Sequence, residues 1–349
     1  MGLAEIRNLI KPVIKEIELR SLSGKIIAID AFNYLYQFLA AIRQEDGTPL
    51  KDSKGRITSH LYGLFYRTIH LMEEGLRPVF VFDGKHPEFK KEEQKRREEM
   101  KKKLEEKYKK VLELGIKKDL RKYAQGIVRL TPDMVKDAMR LLDAMGIPYV
   151  QAPSEGEAQA AYMARKGDVY STASQDYDSL LFGSPRVVRN LAITGKRKVP
   201  RKDIYVEIKP ELIELEEVLK YLGLTREQLI ALALLIGTDY NPDGIPGVGL
   251  KTAYELVKKF GNNFEKLFEY VNWKKYYPEL DWRELMEFFL DPPVTDNYKI
   301  EFKEPDEEKI IKILVEEHDF NEQRVRNAIE RLKRAIRAGA QSNLLSFFK

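Results

Sequence analysis

The 349-residue sequence predicts an α/β protein with a central, mostly parallel sheet flanked by helices. Three observations carry that expectation. Apolar, β-branched runs alternate with amphipathic segments of helical period, the pattern of βαβ units and a parallel sheet. Two of the runs, Lys25–Asp30 (KIIAID) and Pro78–Asp83 (PVFVFD), end on an acid, and a third at 168–173 leads into Gln175-Asp176. In such sheets ligands sit beyond the carboxyl ends of the strands, so three acids at strand ends point to one shared site.

The elements follow in order. Strand Lys25–Asp30 is introduced by Gly24 and continues into an amphipathic helix at about Asn33–Arg43, then a polar loop, Gln44–Arg56. Helix Thr58–Glu74 leads to strand Pro78–Asp83. Between Lys85 and Gln125 the chain is nearly all charged, with sparse apolar residues such as Leu104, Tyr108, Val111, Leu112 and Leu114. One or two helices projecting from the body, broken near Gly115, fit that composition. They read either as a solvated face or as a mobile basic arch that neutralises phosphates. Helix 131–145, strand 147–151, helix 155–165 and strand 168–173 come next. Arg186–Ile193 and Lys202–Ile208 form an expected strand pair around a basic loop at 194–201. Helix 225–236 then runs into Gly237-Thr-Asp-Tyr240 and a further helix ends near Phe260. The last helix is expected over 321–337, followed by a short linker at 338–340.

Composition narrows the function classes. Hydrophobic residues make up 43 % of the chain, enough for a substantial core, and charged residues 33 %, above the usual level of about 25 %. The longest apolar run, Leu229–Gly237, is too short to cross a bilayer. The opening MGLAEIRNLIKP has no apolar core, so no signal peptide is expected, and Ile6 breaks the myristoylation pattern. An intracellular, cytoplasmic protein is therefore expected. The absence of cysteine excludes disulfides, thiolate metal sites and cysteine nucleophiles. His60, His70, His86 and His318 show no ligand or catalytic spacing, which leaves a serine–histidine mechanism little support. The net charge of +5 is unevenly placed: Lys85–Lys122 holds 16 Lys/Arg against 9 Asp/Glu, so the rest of the chain is net negative. That asymmetry points to an anionic polymer as partner.

The stretch Ala152–Asp178 carries two acid pairs, Glu155/Glu157 and Asp176/Asp178, each split by one residue. Like charges at ~5 Å in an effective dielectric near 20 cost roughly 3 kcal/mol per pair. Protonation or bound cations would relieve that, and oxygen-only ligand sets suit Mg²⁺ or Mn²⁺. A structural reading stands beside it. Ser154 and Glu157 fit a capping box opening the helix, and Asp176/Asp178 fit a turn. Asp30 and Asp83 at other strand ends favour the acid cluster.

Two further motifs concern partners. Ile245, Gly247, Val248 and Gly249 form a helix-hairpin-helix signature, whose glycines would let backbone N–H groups approach phosphates, with Lys251 and Thr252 beside them. A tight interhelical turn is the alternative. The terminal Gln341, Leu344, Phe347 and Phe348 follow Q-x-x-L-x-x-F-F, which suits a helix-in-groove anchor.

Together, MGL, IAIDAFNYLYQFL, VFVFDGK, MGIPYVQAPSEGEAQAAY, SQDYDSLLFG, LLIGTDYNPDGIPGVG and QSNLLSFF resemble the flap endonuclease family of structure-specific 5′ nucleases, in its archaeal branch. The likeness spans essentially the whole chain. It implies a PIN-like 5′ nuclease fold: one nuclease domain over 1–337, with the arch at about 85–125 and the helix-hairpin-helix at about 225–260, and a flexible clamp-binding tail over 338–349. The family's metal acids fall on Asp30, Asp83, Glu155, Glu157, Asp176, Asp178 and Asp239. Lys90 and Arg97 would position the scissile phosphate, and Tyr36 would stack on the base beside the cut. The resemblance implies two Mg²⁺ per site with Mn²⁺ as a substitute, a K⁺ near Ile245–Gly249, and a sliding clamp (PCNA) on the terminal motif. It also implies a monomer that cleaves DNA 5′ flaps in replication, including Okazaki fragment processing, and in repair, with 5′–3′ exonuclease activity besides. The alternatives are an enzyme that is chiefly a 5′–3′ exonuclease, or a non-enzymatic clamp-bound scaffold with structural ions.

Overall fold

Backbone pairing in the computed structural model, which describes residues 5–44, 48–85, 87–90, 99, 102, 103, 106, 129–193, 195–198 and 205–346, follows the alternation read from the sequence. The strands are β1 (Lys15–Glu16), β2 (Ile26–Asp30), β3 (Arg77–Phe82), β4 (Tyr149–Gln151), β5 (Ser171–Ala173), β6 (Arg186–Arg189), β7 (Gly195–Lys198), β8 (Tyr205–Ile208) and β9 (Glu211–Glu214). The principal helices are α1 (Ile6–Ile10), α2 (Ala31–Ala41), α3 (Ser59–Glu73), α4 (Pro132–Met145), α5 (Gly156–Lys166), α6 (Asp178–Leu181), α7 (Leu215–Leu222), α8 (Arg226–Ile236), α9 (Leu250–Phe260), α10 (Phe264–Tyr270), α11 (Trp273–Tyr276), α12 (Trp282–Leu290), α13 (Glu307–Ile311) and α14 (Glu322–Ser346). Most of the expected arch lies outside the described residues. No helix among the described residues is long and apolar enough to cross a membrane.

The chain divides into two compact units, the first made of Met1–Ile17, Asp83–Lys95 and Gln151–Asp296. In it β5 and β6 are parallel, while β9 runs antiparallel to both β6 and β1. The core centres on α8, where every residue from Leu229 to Leu235 is fully buried. A helix apolar on all sides must be covered on all sides, and Phe182, Phe268, Trp273, Phe289 and Val257 from the surrounding elements belong to that core. A complete capping box, Thr225 with Gln228, starts α8.

The same unit contains a close backbone passage that positions the site. Gly84 N donates to Ser154 O at 2.6 Å and Lys85 N to Pro153 O at 3.2 Å. A Cβ at Gly84 would lie 2.1 Å from the Ala152 carbonyl oxygen, so only glycine fits this approach.

The second unit comprises Glu18–Phe82, Arg96–Val150 and Asn297–Lys349. Here β2 and β3 are parallel, with Asp30 opposite Val81, and Phe80 N donates to Pro148 O beside β4. Helices α2 and α3 pack closely because Gly63 faces the Phe38 ring, where a Cβ would collide at 2.2 Å.

Two expectations are corrected. Arg186–Ile193 does not pair with Lys202–Ile208. Val187 and Val188 are both fully buried, which suits an interior strand, and β6 lies between β5 and β9. The hairpin is built instead from β7 and β8. Secondly, residues 338–340 are not a break, because α14 continues through them to Ser346. Alanine is the best helix former, and a single glycine costs only about 1 kcal/mol. The side chains of Gln341 and Leu344, and Phe347 and Phe348 entirely, lie outside the described residues.

Replacing Gly84 with alanine should force these backbones apart. Urea unfolding is expected to show a loss of about 1–3 kcal/mol, the usual cost of overpacking a filled site.

Candidate functional site

In the first unit Asp83, which follows β3 directly, turns its carboxylate onto the start of α5 and accepts from Gly156 N at 2.7 Å. This replaces the expected capping box. The N-cap of α5 is Glu155, and no N-cap side chain bonds to the helix start. An acid more than seventy residues upstream satisfies one of the orphan N–H groups, where the helix dipole favours negative charge. Glu157, in the first turn, accepts instead from the Ser179 hydroxyl at 3.1 Å.

Lys90, on a 3₁₀ turn at Glu88–Lys90, reaches Glu155 with Nζ 2.6 Å from Oε2, and both side chains are largely buried. Phe89 beside it packs edge-on against Tyr240 and Phe288, which fixes the turn. Burial alone would pull the Lys90 proton affinity down. The Glu155 charge and hydrogen bond, with Asp239 and Asp83, outweigh it and hold the ammonium charged.

Asp176 and Asp178 flank Tyr177 just beyond β5. Asp176 N donates to Ser174 Oγ at 3.1 Å, and Asp178 begins α6. Arg189 on β6 secures this loop, donating to Gln175 O at 3.1 Å and to the Tyr177 hydroxyl at 2.7 Å. Asp178 is buried, and burial pushes its carboxyl well above the usual range. Asp239 and Asp176 push further in the same direction, and Lys90 offsets part of the rise.

Asp239 lies in the connector after α8. The connector is fastened by Asn241, fully buried, whose amide donates to Leu234 O at 2.7 Å and accepts from the Thr238 hydroxyl at 2.7 Å. Next to it Tyr240 is buried, and burial together with Glu155, Asp178, Asp239 and Glu157 pushes its hydroxyl well up, so it stays neutral. Six carboxylates of this unit, Asp83, Glu155, Glu157, Asp176, Asp178 and Asp239, thus share one electrostatic environment with Lys90 and Tyr240. Partly dehydrated, oxygen-only and mutually repelling, they are a donor set that fits hard divalent cations.

Sequence reasoning missed the supports: Tyr240, Ser179, Arg189 and Asn241. None sits in a periodic pattern. A turn-type Asn three residues after Thr238 was the one available signal, since asparagine caps its own backbone.

The other expected residues take the following places. In the second unit Asp30 ends β2 and caps α2, accepting from Asn33 N at 3.0 Å, while Tyr36 on α2 is 38 % exposed. Arg97 lies outside the described residues. In the first unit the connector from α8 to α9 holds Gly247 at φ 83°, a left-handed turn, and Gly249 at the N-cap of α9. Added side chains at either glycine would meet open space. Lys251 and Thr252 are exposed on the first turn of α9.

Residues 1–104 match the XPG N-terminal domain and residues 146–239 the XPG I-region. Flap endonuclease 1 of Pyrococcus furiosus is 62 % identical over 335 residues, covering 96 % of both chains. That of Aeropyrum pernix is 59 % identical over 347 residues, covering 98 % of this chain and 99 % of its own. Among solved structures, flap endonuclease-1 from Methanococcus jannaschii superposes with a TM-score of 0.73 at 46 % identity, over 93 % of this chain and 96 % of that one. The catalytic core of Rad2 in complex with DNA substrate gives a TM-score of 0.68 at 26 % identity, over 94 % and 99 %. The match bears out the α/β class, with a mixed, mostly parallel sheet and helices. The chain belongs to the flap endonuclease family, metal-dependent nucleases that hydrolyse phosphodiester bonds.

Proposed function

We propose that this chain cleaves 5′ flaps at DNA duplex junctions in replication and repair, and that the six carboxylates around Lys90 are its metal ligands. The observation that carries the reading is the buried Asp178 carboxyl, set beside Asp239 and Asp176 in one cluster with the Lys90–Glu155 ion pair at 2.6 Å. Two divalent ions, Mg²⁺ in the first instance with Mn²⁺ as substitute, would polarise the scissile phosphate and activate the attacking water. Asp30 is assigned as a seventh ligand from its place in the family motif alone.

The chain's own residues have separate tasks. Asp83 fixes the start of α5, and so the aim of Glu155 and Glu157. Lys90, charged and partly desolvated, stabilises negative charge developing on the phosphate. Arg97 is assigned the same task on the family pattern. Tyr36, exposed on α2, would hold the unpaired base by stacking. Gly247 and Gly249 leave the N-terminal amides of α9 open to duplex phosphates, with Lys251 and Thr252 alongside, and K⁺ would bind at the same turn. Gln341, Leu344, Phe347 and Phe348 are assigned to a sliding clamp, and the chain is taken to act as a monomer. The nuclease domain over 1–337 and the clamp-binding tail over 338–349 are part of the same proposal. Exonuclease action at recessed ends would use the same residues.

Asp178→Ala is expected to abolish Mg²⁺-dependent flap cleavage while a gel-shift assay still shows flapped DNA bound. Equal loss of both would remove Asp178 from catalysis. Lys90→Ala should slow single-turnover cleavage by ~10²–10³-fold, the range for losing a charge-stabilising donor, with little change in affinity. A loss confined to affinity would make Lys90 a phosphate binder. Truncation after Gly339 should leave cleavage of naked flaps intact and remove stimulation by the clamp.

A further inference from the structure

The second unit contains a buried histidine that the nuclease reading does not use. His318 is 4 % exposed, and its two ring nitrogens have different surroundings. Nδ1 lies 3.2 Å from Asp52 Oδ2. Asp52 has a fully buried side chain of its own, held by the amides of Lys54 and Arg56 at 3.0 and 2.8 Å and by Arg56 Nε at 2.7 Å. A carboxylate only accepts, so Nδ1 carries a proton towards Asp52, and Nε2 is the ring nitrogen left to bind a cation when the imidazole is neutral. Nε2 is buried and has no hydrogen-bond partner among the described residues. It faces Asp137 Oδ2 at 3.6 Å, and one oxygen each of Asp137 and Glu317 lies with an imidazole nitrogen inside a 4.8 Å group.

The 3.6 Å separation is long for a hydrogen bond and close to the spacing of two ligands on one ion. An imidazolium donating to a carboxylate would close to about 2.7–2.9 Å. Two donors each about 2.1 Å from a shared tetrahedral metal stand roughly 3.4 Å apart. A buried carboxylate holding one ring nitrogen while the other stays open is also how proteins orient a metal-ligating imidazole. The backbone serves the arrangement too. A π-turn at Lys312–Glu316 and a left-handed Asp319 at φ 59° bracket Glu317 and His318. Such turns are costly in ordinary helices and recur at functional sites.

We propose that Asp137, Glu317 and His318 form a second cation site, sharing no residue with the nuclease carboxylates, for a borderline divalent ion of the Zn²⁺ and Co²⁺ class. One imidazole with two carboxylates suits such ions, whereas Mg²⁺ takes oxygen ligands. Arg140 holds the carboxylates in place, Nη1 bonding Asp137 Oδ1 and Glu317 Oε2 at 2.9 Å and Nη2 bonding Glu317 Oε1 at 2.8 Å. Its charge opposes a cation nearby, but it leaves Asp137 Oδ2 turned towards His318. Ser53 N donates to Asp319 Oδ2 at 2.6 Å and the Arg56 guanidinium to the Glu317 carbonyl. An ion here would therefore tie the loop after α2 to α4 and to the turn before α14.

The full chain, titrated with Co²⁺ in excess Mg²⁺ to saturate oxygen-only sites, should bind one Co²⁺ and show its visible d–d absorption. His318→Gln should remove that band. Asp52→Asn should weaken binding by about 10–100-fold, the usual effect of losing the carboxylate behind a ligating imidazole, and Asp137→Asn by at least as much. No Co²⁺ retained against Mg²⁺, or undiminished binding in the variants, would overturn the site in favour of a closed ion-pair network. Asp137 is partly exposed, so Asp137→Asn decides the question if His318→Gln does not fold.

Discussion

The repulsion among carboxylates gathered around the buried Glu155 and Asp178 is the constraint around which the first unit is arranged. Asp178 shows its scale by direction: burial raises its carboxyl, and Asp239 and Asp176 add to the rise. Folding would normally avoid such a set, since an uncompensated buried charge costs several kcal/mol. Here the surrounding structure holds the acids in place. Asp83 is bonded to Gly156 N, Glu157 to Ser179, Glu155 to Lys90, and the loops carrying Asp176 and Asp239 are fastened by Arg189 and Asn241.

Each support also connects the site to the core. The Phe89 ring joins Lys90 to Tyr240 and Phe288, so the charged turn is anchored by aromatic packing. The Asp239 connector follows α8, whose fully buried run Leu229–Leu235 makes its end a rigid platform. The passage at Gly84 does the same for Asp83, because backbone bonds on both sides of it fix the distance to α5.

Much of this was legible in the sequence, for physical reasons that differ by element. Strands β2 and β3 are apolar runs ending on acids, so their type and the placing of Asp30 and Asp83 follow from burial and strand polarity. The helices at 155–165 and 225–236 were visible from pattern, with boundaries displaced by one residue. The start of α5 departs from the capping box that S-x-x-E suggests, because its actual partner, Asp83, is distant in sequence and no local pattern encodes it. The break at 338–340 was misread because small residues signal a linker and a continuing helix alike. Lys90, Arg97, Tyr36 and Asp239 were assigned by family pattern only; the ion pair of Lys90 with Glu155 joins residues 65 apart, which no local period encodes. His318 shows the same limit, since Asp137 and Glu317 stand 180 residues apart.

Thermal unfolding of the wild type and Asp178→Asn, in chelator and in Mg²⁺ at pH 8, tests the central claim most directly. A carboxyl whose proton affinity is raised on folding costs stability progressively as pH rises from its unfolded pKa, and in full above the raised one; Asn removes that cost at nearly constant shape. The account predicts that the variant melts higher than the wild type in chelator, and that Mg²⁺ raises the wild-type melting temperature more than that of the variant. A variant that melts lower in chelator, with an Mg²⁺ shift equal to the wild type's, would contradict it.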